Sequence, residues 1–349
     1  MLLMKQLIFL KSASKKENLG KIMHNETLIM PLFEGVDWIE LYSRNSDPFF
    51  VPEKVEINGH ILPLFHGKIS LSFWLKTTIP LPSIAVTFWG SPITDLFPLR
   101  NKILNDSDEA EAVETVIQKA VERKSWAVVV KDLPIGDPLE KTLMESGFIP
   151  VEHDPVWYMP VHKDLQTCLN GLSKGRRRGI EGRWKKFNKL VSVRTAVMND
   201  AEFIKNSYDM IWQKSDMRLE KLTKGFFAEA LAHPSSKVFI FERDGMPFGF
   251  IMLWQNGSIW FDKYMGTDSS IYREVSFYSM SILYLLKIAP SYGVNLYVAG
   301  QGCGKDKEGL GFKPIYVRLW IKPLFLTHIL SPMLKRFIKV HSNRIFADN

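Results

Sequence analysis

Two cysteines, Cys168 and Cys303, are all that this chain of 349 residues contains. That excludes a disulfide framework and a four-cysteine zinc site. Its eight histidines are scattered without an HExxH or other paired spacing, so no metal motif is present and no resident metal is expected. No apolar run reaches the roughly 18–20 residues that a membrane span requires. The run Met1–Leu10, interrupted by Lys5 and Gln6 and without a convincing cleavage site, reads as a strand rather than a signal peptide. A soluble, cytoplasmic protein is the expectation. Acidic charge is also in deficit: 45 Lys and Arg against 37 Asp and Glu leave a net charge of +8 and a pI near 9.2. Such a balance points to an anionic partner, whether a nucleotide-bearing cofactor, a carrier protein, a nucleic acid or a membrane surface. Composition does not choose among them.

The chain has enough apolar residues, 46%, to bury a large core as one large domain or two ordinary ones. Its most informative stretch is Ala299–Pro314, in which Gly300, Gly302, Gly304, Gly309 and Gly311 alternate with Lys305, Lys307 and Lys313 between two strand-like runs. Glycine lets a backbone approach a ligand closely, and lysine supplies charge where phosphate or carboxylate would sit. This marks a site, not a reaction.

The segment from Leu28 to about Thr94 reads as short strands and turns, with Asn58-Gly59 as a hairpin signal. Asp106-Ser107-Asp108 caps a helix through about Lys124, Trp126–Val130 is a buried-strand run, and a short helix from Asp137 to Glu145 ends at Gly147. The order helix, apolar strand, short polar or helical stretch, Gly-Phe-x-Pro and aromatic strand occurs at 108–160 and again at 272–321. Gly147-Phe148-Ile149-Pro150 and Gly311-Phe312-Lys313-Pro314 take matching places. Convergent turn chemistry would explain this, but tandem related domains do so more economically.

Between the repeats, Ser173–Arg194 carries nine cations, Lys174, Arg176, Arg177, Arg178, Arg183, Lys185, Lys186, Lys189 and Arg194, against the single acid Glu181. Ile180, Trp184, Phe187 and Leu190 recur at helical spacing, so the segment is an amphipathic basic helix. It serves either as a solvated face or as a phosphate contact. Beyond it the pattern predicts strand 191–197, helices 200–217 and 224–232, and a three-strand meander over 237–242, 247–254 and 258–265. Helix 272–289 and strands 294–299 and 315–321 follow. Periodicity alone gives a mixed α/β protein.

The order of motifs resembles the FemAB-like peptidoglycan-biosynthesis and recognition proteins of the GNAT (acyl-CoA N-acyltransferase) superfamily. Glu274, Phe277 and Tyr278 match the start of the family's helix, Gly300–Gly302 its Gly-x-Gln-Gly, Lys305 its lysine, and Gly311–Pro314 its exit. Leu172-Ser173 with Arg176–Arg178 matches the Leu-Ser-x-x-x-Arg start of its basic helix. The resemblance covers roughly residues 90–321. It implies tandem GNAT-like domains with mixed sheets and flanking helices: a supporting half at 1–165 and a catalytic half at 166–321. Beyond it, apolar residues interleaved with Lys335, Arg336, Lys339 and Arg344 make 322–349 a basic amphipathic tail. The tail docks on its own domain or makes a weak peripheral membrane contact.

The activity implied is transfer of an acyl or aminoacyl group to an amine of a small molecule, peptide or cell-wall precursor. The co-substrate would be acyl-CoA, acyl-carrier protein or aminoacyl-tRNA, none of them tightly bound. In that frame Glu274 is the base, Lys305 stabilises the oxyanion or binds the anionic donor, and Tyr278 is a general acid. Arg177, Arg178, Gln301, Gly302 and Lys307 hold the donor. Each has a plainer role open to it: a helix-start carboxylate, a solvated lysine, a core tyrosine, a turn glutamine. In Trp260–Tyr264 the period of two turns either Asp262 or Lys263 inward.

Two departures stand out. Cys303-Gly304 replaces the family's Glu-His before the lysine, and Met265–Arg273 replaces the Arg/Gln-x-x-Gly-x-Gly/Ala loop that cradles a pyrophosphate. A donor bulkier than free CoA is thereby favoured. A GNAT-derived binding protein, recognising nucleic acid or an anionic precursor without turnover, is the other reading the departures allow.

Overall fold

The computed structural model describes residues 35–45, 49–57, 60–70, 82–94, 96, 106–214, 220–267 and 269–325. The expected N-terminal strand, the Asn58-Gly59 turn and the tail beyond residue 325 lie outside them. The N-terminal half runs α1 (Val36–Arg44), β1 (Phe50–Ile57), β2 (His60–Ser70), β3 (Ser83–Trp89), α2 (Asp106–Glu122), β4 (Ala127–Pro134), α3 (Leu139–Glu145) and β5 (Ile149–Glu152). Then come β6 (Val156–Pro160), α4 (Leu165–Leu169), α5 (Lys174–Leu190), β7 (Ser192–Thr195), α6 (Ala201–Lys214) and α7 (Lys224–Ala232). The meander is β8 (Ser236–Arg243), β9 (Met246–Asn256) and β10 (Ile259–Thr267). The chain goes on through α8 (Ser269–Tyr272), α9 (Phe277–Ile288), β11 (Leu296–Gly300), α10 (Gly304–Leu310), β12 (Lys313–Ile315) and β13 (Val317–Pro323).

Two mixed sheets result, ordered β1-β2-β3-β4-β13-β5 and β12-β6-β11-β10-β9-β8-β7. The internal repeat is present element for element, as α2-β4-α3-β5-β6 and α9-β11-α10-β12-β13. Its matching corners share one geometry. Gly147 (φ 80°) and Gly311 (φ 95°) are left-handed helix ends, and the next amide closes each corner, Phe148 N–H to Leu143 O at 2.9 Å and Phe312 N–H to Lys307 O at 3.0 Å. That is the helix-ending motif in which glycine avoids a Cβ clash. The exit strands then part company: β6 joins the second sheet, while β13 returns to the first between β4 and β5. Each sheet therefore contains a strand from the other half of the chain.

One buried cluster fastens the halves together. Trp38, Phe50, Phe65 and Phe88 of the first sheet's side pack in it with Tyr208, Phe226, Phe250 and Trp254 of the second. Trp38 lies 5.0 Å from Trp254 and 5.7 Å, edge-on, from Phe226, separations at which aromatic pairs add about 0.5–1.5 kcal/mol beyond burial. A second cluster forms where α5 and α9 cover the other face of the second sheet. Gly266 on β10 permits the close approach of α6, because a Cβ there would stand 2.7 Å from the carbonyl carbon of Ser207.

Four expectations need correction. Val36–Arg44 is a helix, not a strand or turn, because Trp38, Ile39, Leu41 and Tyr42 share a buried stripe at helical spacing. The helix expected over 272–289 is broken at Arg273–Ser276, with Ser276 left-handed at φ 51°; the break buries both Val275 and Phe277 while Arg273 and Glu274 stay outside. The glycine-lysine stretch is not wholly a loop, since Lys307 and Leu310, three residues apart and both buried, anchor α10. Basic helix α5 ends at Leu190, and Arg194 lies on β7, where Asp200 takes its Nη1 and Nη2 at 2.6 and 2.8 Å and Glu242 its Nε at 2.7 Å. Arg194 is thereby withdrawn from the cationic surface.

Candidate functional site

Strands β10 and β11 run parallel but pair at only three positions, Ile259–Leu296, Trp260–Tyr297 and Phe261–Val298. Beyond that point β10 continues to Thr267 against β9 alone, and β11 continues to Gly300 against β6. The sheet therefore splits, and the split has a local cause. Lys263 is an extra residue in β10 opposite β9, and Ala299 is an extra residue in β11 opposite β6. Bulges of this kind bend a strand and re-aim its side chains. Along the opening β10 and β11 no longer pair with each other.

Asp262 stands at the foot of the split and accepts a hydrogen bond from the Tyr297 hydroxyl at 3.0 Å. Lys263 turns the other way, its ammonium 5.0 Å from the Trp38 ring centroid. The alternation expected in this strand thus places the carboxylate at the opening. Burial, reinforced by Asp262, pushes the Tyr297 phenol well above its usual range. The same holds for Tyr278 on α9, raised by burial first and then by Asp262, Cys303, Asp306 and Tyr272. Both phenols keep their protons at neutral pH and serve as hydrogen-bond donors; neither is acidic enough to give a proton up readily.

The turn after β11 forms the rim. Gly300 (φ 64°), Gly302 (φ 73°) and Cys303 (φ 47°) are all left-handed, and a Cβ on Gly302 would meet nothing within 4 Å, so open space adjoins this backbone. Two side chains hold the turn from behind. Lys307 is 1% exposed, and its Nζ donates to the carbonyls of Gly300 at 3.0 Å and Gln301 at 2.9 Å. Gln301 reaches away from the opening, its amide nitrogen donating to Asp132 Oδ1 at 3.0 Å and to Asp154 O at 2.8 Å. Gln301 and Lys307 thus brace the turn.

Lys305 points to solvent on the opposite face of α10. With Arg176 and Arg183 of α5 it lines a cleft of about 220 Å³ completed by Gly179, Ile180, Ser279, Asp306, Gly309 and Leu310. Three cations against one carboxylate give the cleft a net positive lining. Arg176 and Arg183 are seven residues apart, two helical turns, and share a face with Ile180, one of the two buried anchors of α5. That spacing is the signal by which these two could have been preferred over Arg177 and Arg178, which are not among the residues lining the cleft. Glu274 is 40% exposed, in the turn before α9 rather than in the first turn of a helix. Its carboxylate accepts from Arg243 Nη1 at 2.5 Å and lies 4.0 Å from Lys186 Nζ, so it joins β8 to α5.

A larger cavity, about 770 Å³, lies between β1, β2, β3 and α6 and contains none of these residues. Among the described residues no cluster of His, Cys, Asp and Glu could hold a metal ion, and no helix is long and apolar enough to cross a membrane.

No protein-family model matches the chain, and no characterised protein matches it by sequence. Solved structures do. The crystal structure of FemX aligns over 87% of this chain and 93% of its own, with a TM-score of 0.56 at 11% identity. The C-terminal domain of a putative lysylphosphatidylglycerol synthetase from Agrobacterium fabrum aligns over 86% and 89%, with a TM-score of 0.54 at 10% identity. The structure of L-PGS from Bacillus licheniformis aligns over 82% and 89%, with a TM-score of 0.53 at 10% identity. At such identities the likeness speaks of fold. With its two interlocked repeats and split parallel strand pair, the chain shares the fold of FemX and of these two structures.

Proposed function

We propose that this protein is an acyl- or aminoacyltransferase that moves an activated acyl group from an anionic carrier to an amine. The observation that carries the reading is the β10/β11 opening, rimmed by the Gly300–Gly302 backbone and flanked by the Lys305–Arg176–Arg183 cleft. In such a transfer the amine nitrogen attacks the acyl carbon and a C–N bond forms. The C–S or C–O bond to the carrier breaks, and the proton lost by the amine ends on the leaving thiolate or alkoxide. The open strand edge holds the acyl chain or aminoacyl amide by backbone hydrogen bonds. The turn amides and the Tyr278 hydroxyl donate to the oxyanion, as pre-aimed donors do in acyl transfer.

Asp262, at the foot of the opening, is better placed to take the amine proton than Glu274, whose charge is balanced by Arg243 and Lys186. The three cations bind carrier phosphates, and the wider basic face of α5 favours aminoacyl-tRNA or acyl-carrier protein over free acyl-CoA. The name of the putative lysylphosphatidylglycerol synthetase from Agrobacterium fabrum agrees with an aminoacyl donor class. A cytoplasmic site of action, an amine acceptor on a small molecule, peptide or cell-wall precursor, and a catalytic C-terminal half supported by the N-terminal one complete the reading.

The test is label transfer from a panel of radiolabelled acetyl-CoA, acyl-carrier protein and aminoacyl-tRNA to mixed amine acceptors. Activity with one donor, lost in Asp262→Asn and in an Arg176→Glu/Arg183→Glu variant, supports the proposal. If every donor stays intact while the charge reversals abolish binding of nucleic acid, the chain is a binding protein on this fold.

A further inference from the structure

In β4, Lys131 and Asp132 together stand opposite the single residue Leu319 of β13, a bulge inside a buried strand. Asp132 adopts φ 56°, a left-handed conformation unusual for a residue with a Cβ, and is fully buried. Buried strain of this kind persists only where the surroundings hold it, and it clusters at functional places. Here the bulge aims the Asp132 carboxylate across the joint between the two halves. Oδ2 is paired with the Lys131 ammonium, which also donates to Thr94 O at 2.6 Å. Oδ1 takes His153 Nδ1 at 2.6 Å and the Gln301 amide at 3.0 Å.

A carboxylate accepting both fixes the His153 proton on Nδ1. The Gln301 amide nitrogen, 2.9 Å from His153 Nδ1, is then a second donor converging on the same oxygen rather than a partner of the ring. Around this knot stand Lys131 from β4, Asp154 beside β6, and Arg318 of β13, whose guanidinium is taken up by Glu140 at 2.9 Å and Glu152 at 3.5 Å. Asp132 lies two residues before the end of β4, the strand after the first repeat's helix, and the Gly300–Gly302 turn starts at the end of β11, the strand after the second repeat's helix. Gln301 links the two places by its hydrogen bond to Asp132.

We infer that Asp132 and His153 are positioning residues of the site: from the N-terminal half, and through Gln301, they set the Gly300–Gly302 turn at the mouth of the β10/β11 opening. The functional meaning of that opening rests on the proposal above; the positioning itself is measured without it.

Cys303 follows the turn directly and is exposed, and its thiol makes a side-chain contact with Tyr278, so its alkylation reports the turn. In a Cys168→Ser background, iodoacetamide labelling of Cys303 should be about three- to tenfold faster in Asp132→Asn and in Gln301→Ala. The double variant should be no faster than either single one, because both cut the same link. His153→Gln, which keeps an N–H for Asp132, should restore most of the slow rate that His153→Phe loses. Unchanged labelling in Gln301→Ala, or additive acceleration that simply tracks the loss of thermal stability, overturns the inference. If Asp132→Asn does not fold, Gln301→Ala and the His153 pair decide alone. Failure to find a donor in the label-transfer panel leaves this readout standing, so the two proposals fail separately.

Discussion

Lys305 and Lys307 are two residues apart in a polar, glycine-rich stretch, and replacing each should give opposite results. Lys307 is buried, with its ammonium on the carbonyls of Gly300 and Gln301. In Lys307→Met the stem volume is kept while both carbonyls lose a charged donor. Hydrogen bonds to a charged group contribute about 1.5–3 kcal/mol each, offset in part by no longer burying an ammonium, so the net loss should be about 2–4 kcal/mol. For a cooperative unit of about 150–250 residues, 1 kcal/mol moves Tm by about 2–4 °C, so a fall on the order of 5–10 °C is expected. Lys305→Ala removes an exposed side chain and should leave Tm within about 1–2 °C, as surface changes do. It should instead weaken binding of pyrophosphate, a probe of the cation cleft, by about tenfold, the cost of losing one charged contact. Scanning calorimetry and titration of both variants decide the matter. A Lys307→Met protein as stable as the parent, or a Lys305→Ala protein that melts early with unchanged pyrophosphate affinity, would refute the division of labour.

Three further outcomes follow from the geometry. Gly266→Ala places a Cβ 2.7 Å from the Ser207 carbonyl carbon and 2.5 Å from the Phe250 ring, so α6 must shift; a loss of about 1–3 kcal/mol is expected in urea denaturation. Asp200 is held below the ordinary carboxylate range by hydrogen bonds from Arg194, and Asp132 by Lys131 and His153 against the opposing effect of its burial. Their contribution is complete above about pH 4 and is lost as pH falls through the lower folded-state values, so Tm should drop as pH falls below about 4, and by less in Asp200→Asn. Arg176→Glu with Arg183→Glu should weaken anion binding and flatten its salt dependence, while Arg177→Glu, outside the cleft, should do so less; pyrophosphate titration at two ionic strengths checks the order.

Most of the chain's elements could be read from its sequence because each is written in a local period. The basic helix announces itself by Ile180 and Phe187, two turns apart, and the meander by its Asp244-Gly245 and Asn256-Gly257 turns. The repeat shows in two Gly-Phe-x-Pro corners, whose glycines alone tolerate the left-handed φ required. Trp38 made α1 a helix through partners contributed by α7 and β9, more than 180 residues away, which no local window contains. The break at Ser276 likewise answers to the burial of Val275 and Phe277 on both sides of it.

At the site, sequence determined the inventory: glycines that free a backbone, lysines and arginines in excess, aromatic residues on α9, and a carboxylate in β10. Direction was decided by tertiary structure. Asp262 took the Tyr297 hydroxyl while Lys263 turned to Trp38, and the pitch of α10 sent Lys305 to solvent and Lys307 inward. The return of β13 beside β4 brought Asp132 and His153 against Gln301, 169 and 148 residues distant along the chain. Residue type fixes what a side chain can do locally, whereas which neighbour it does it with depends on strand exchange and register, set by the burial of the whole chain at once.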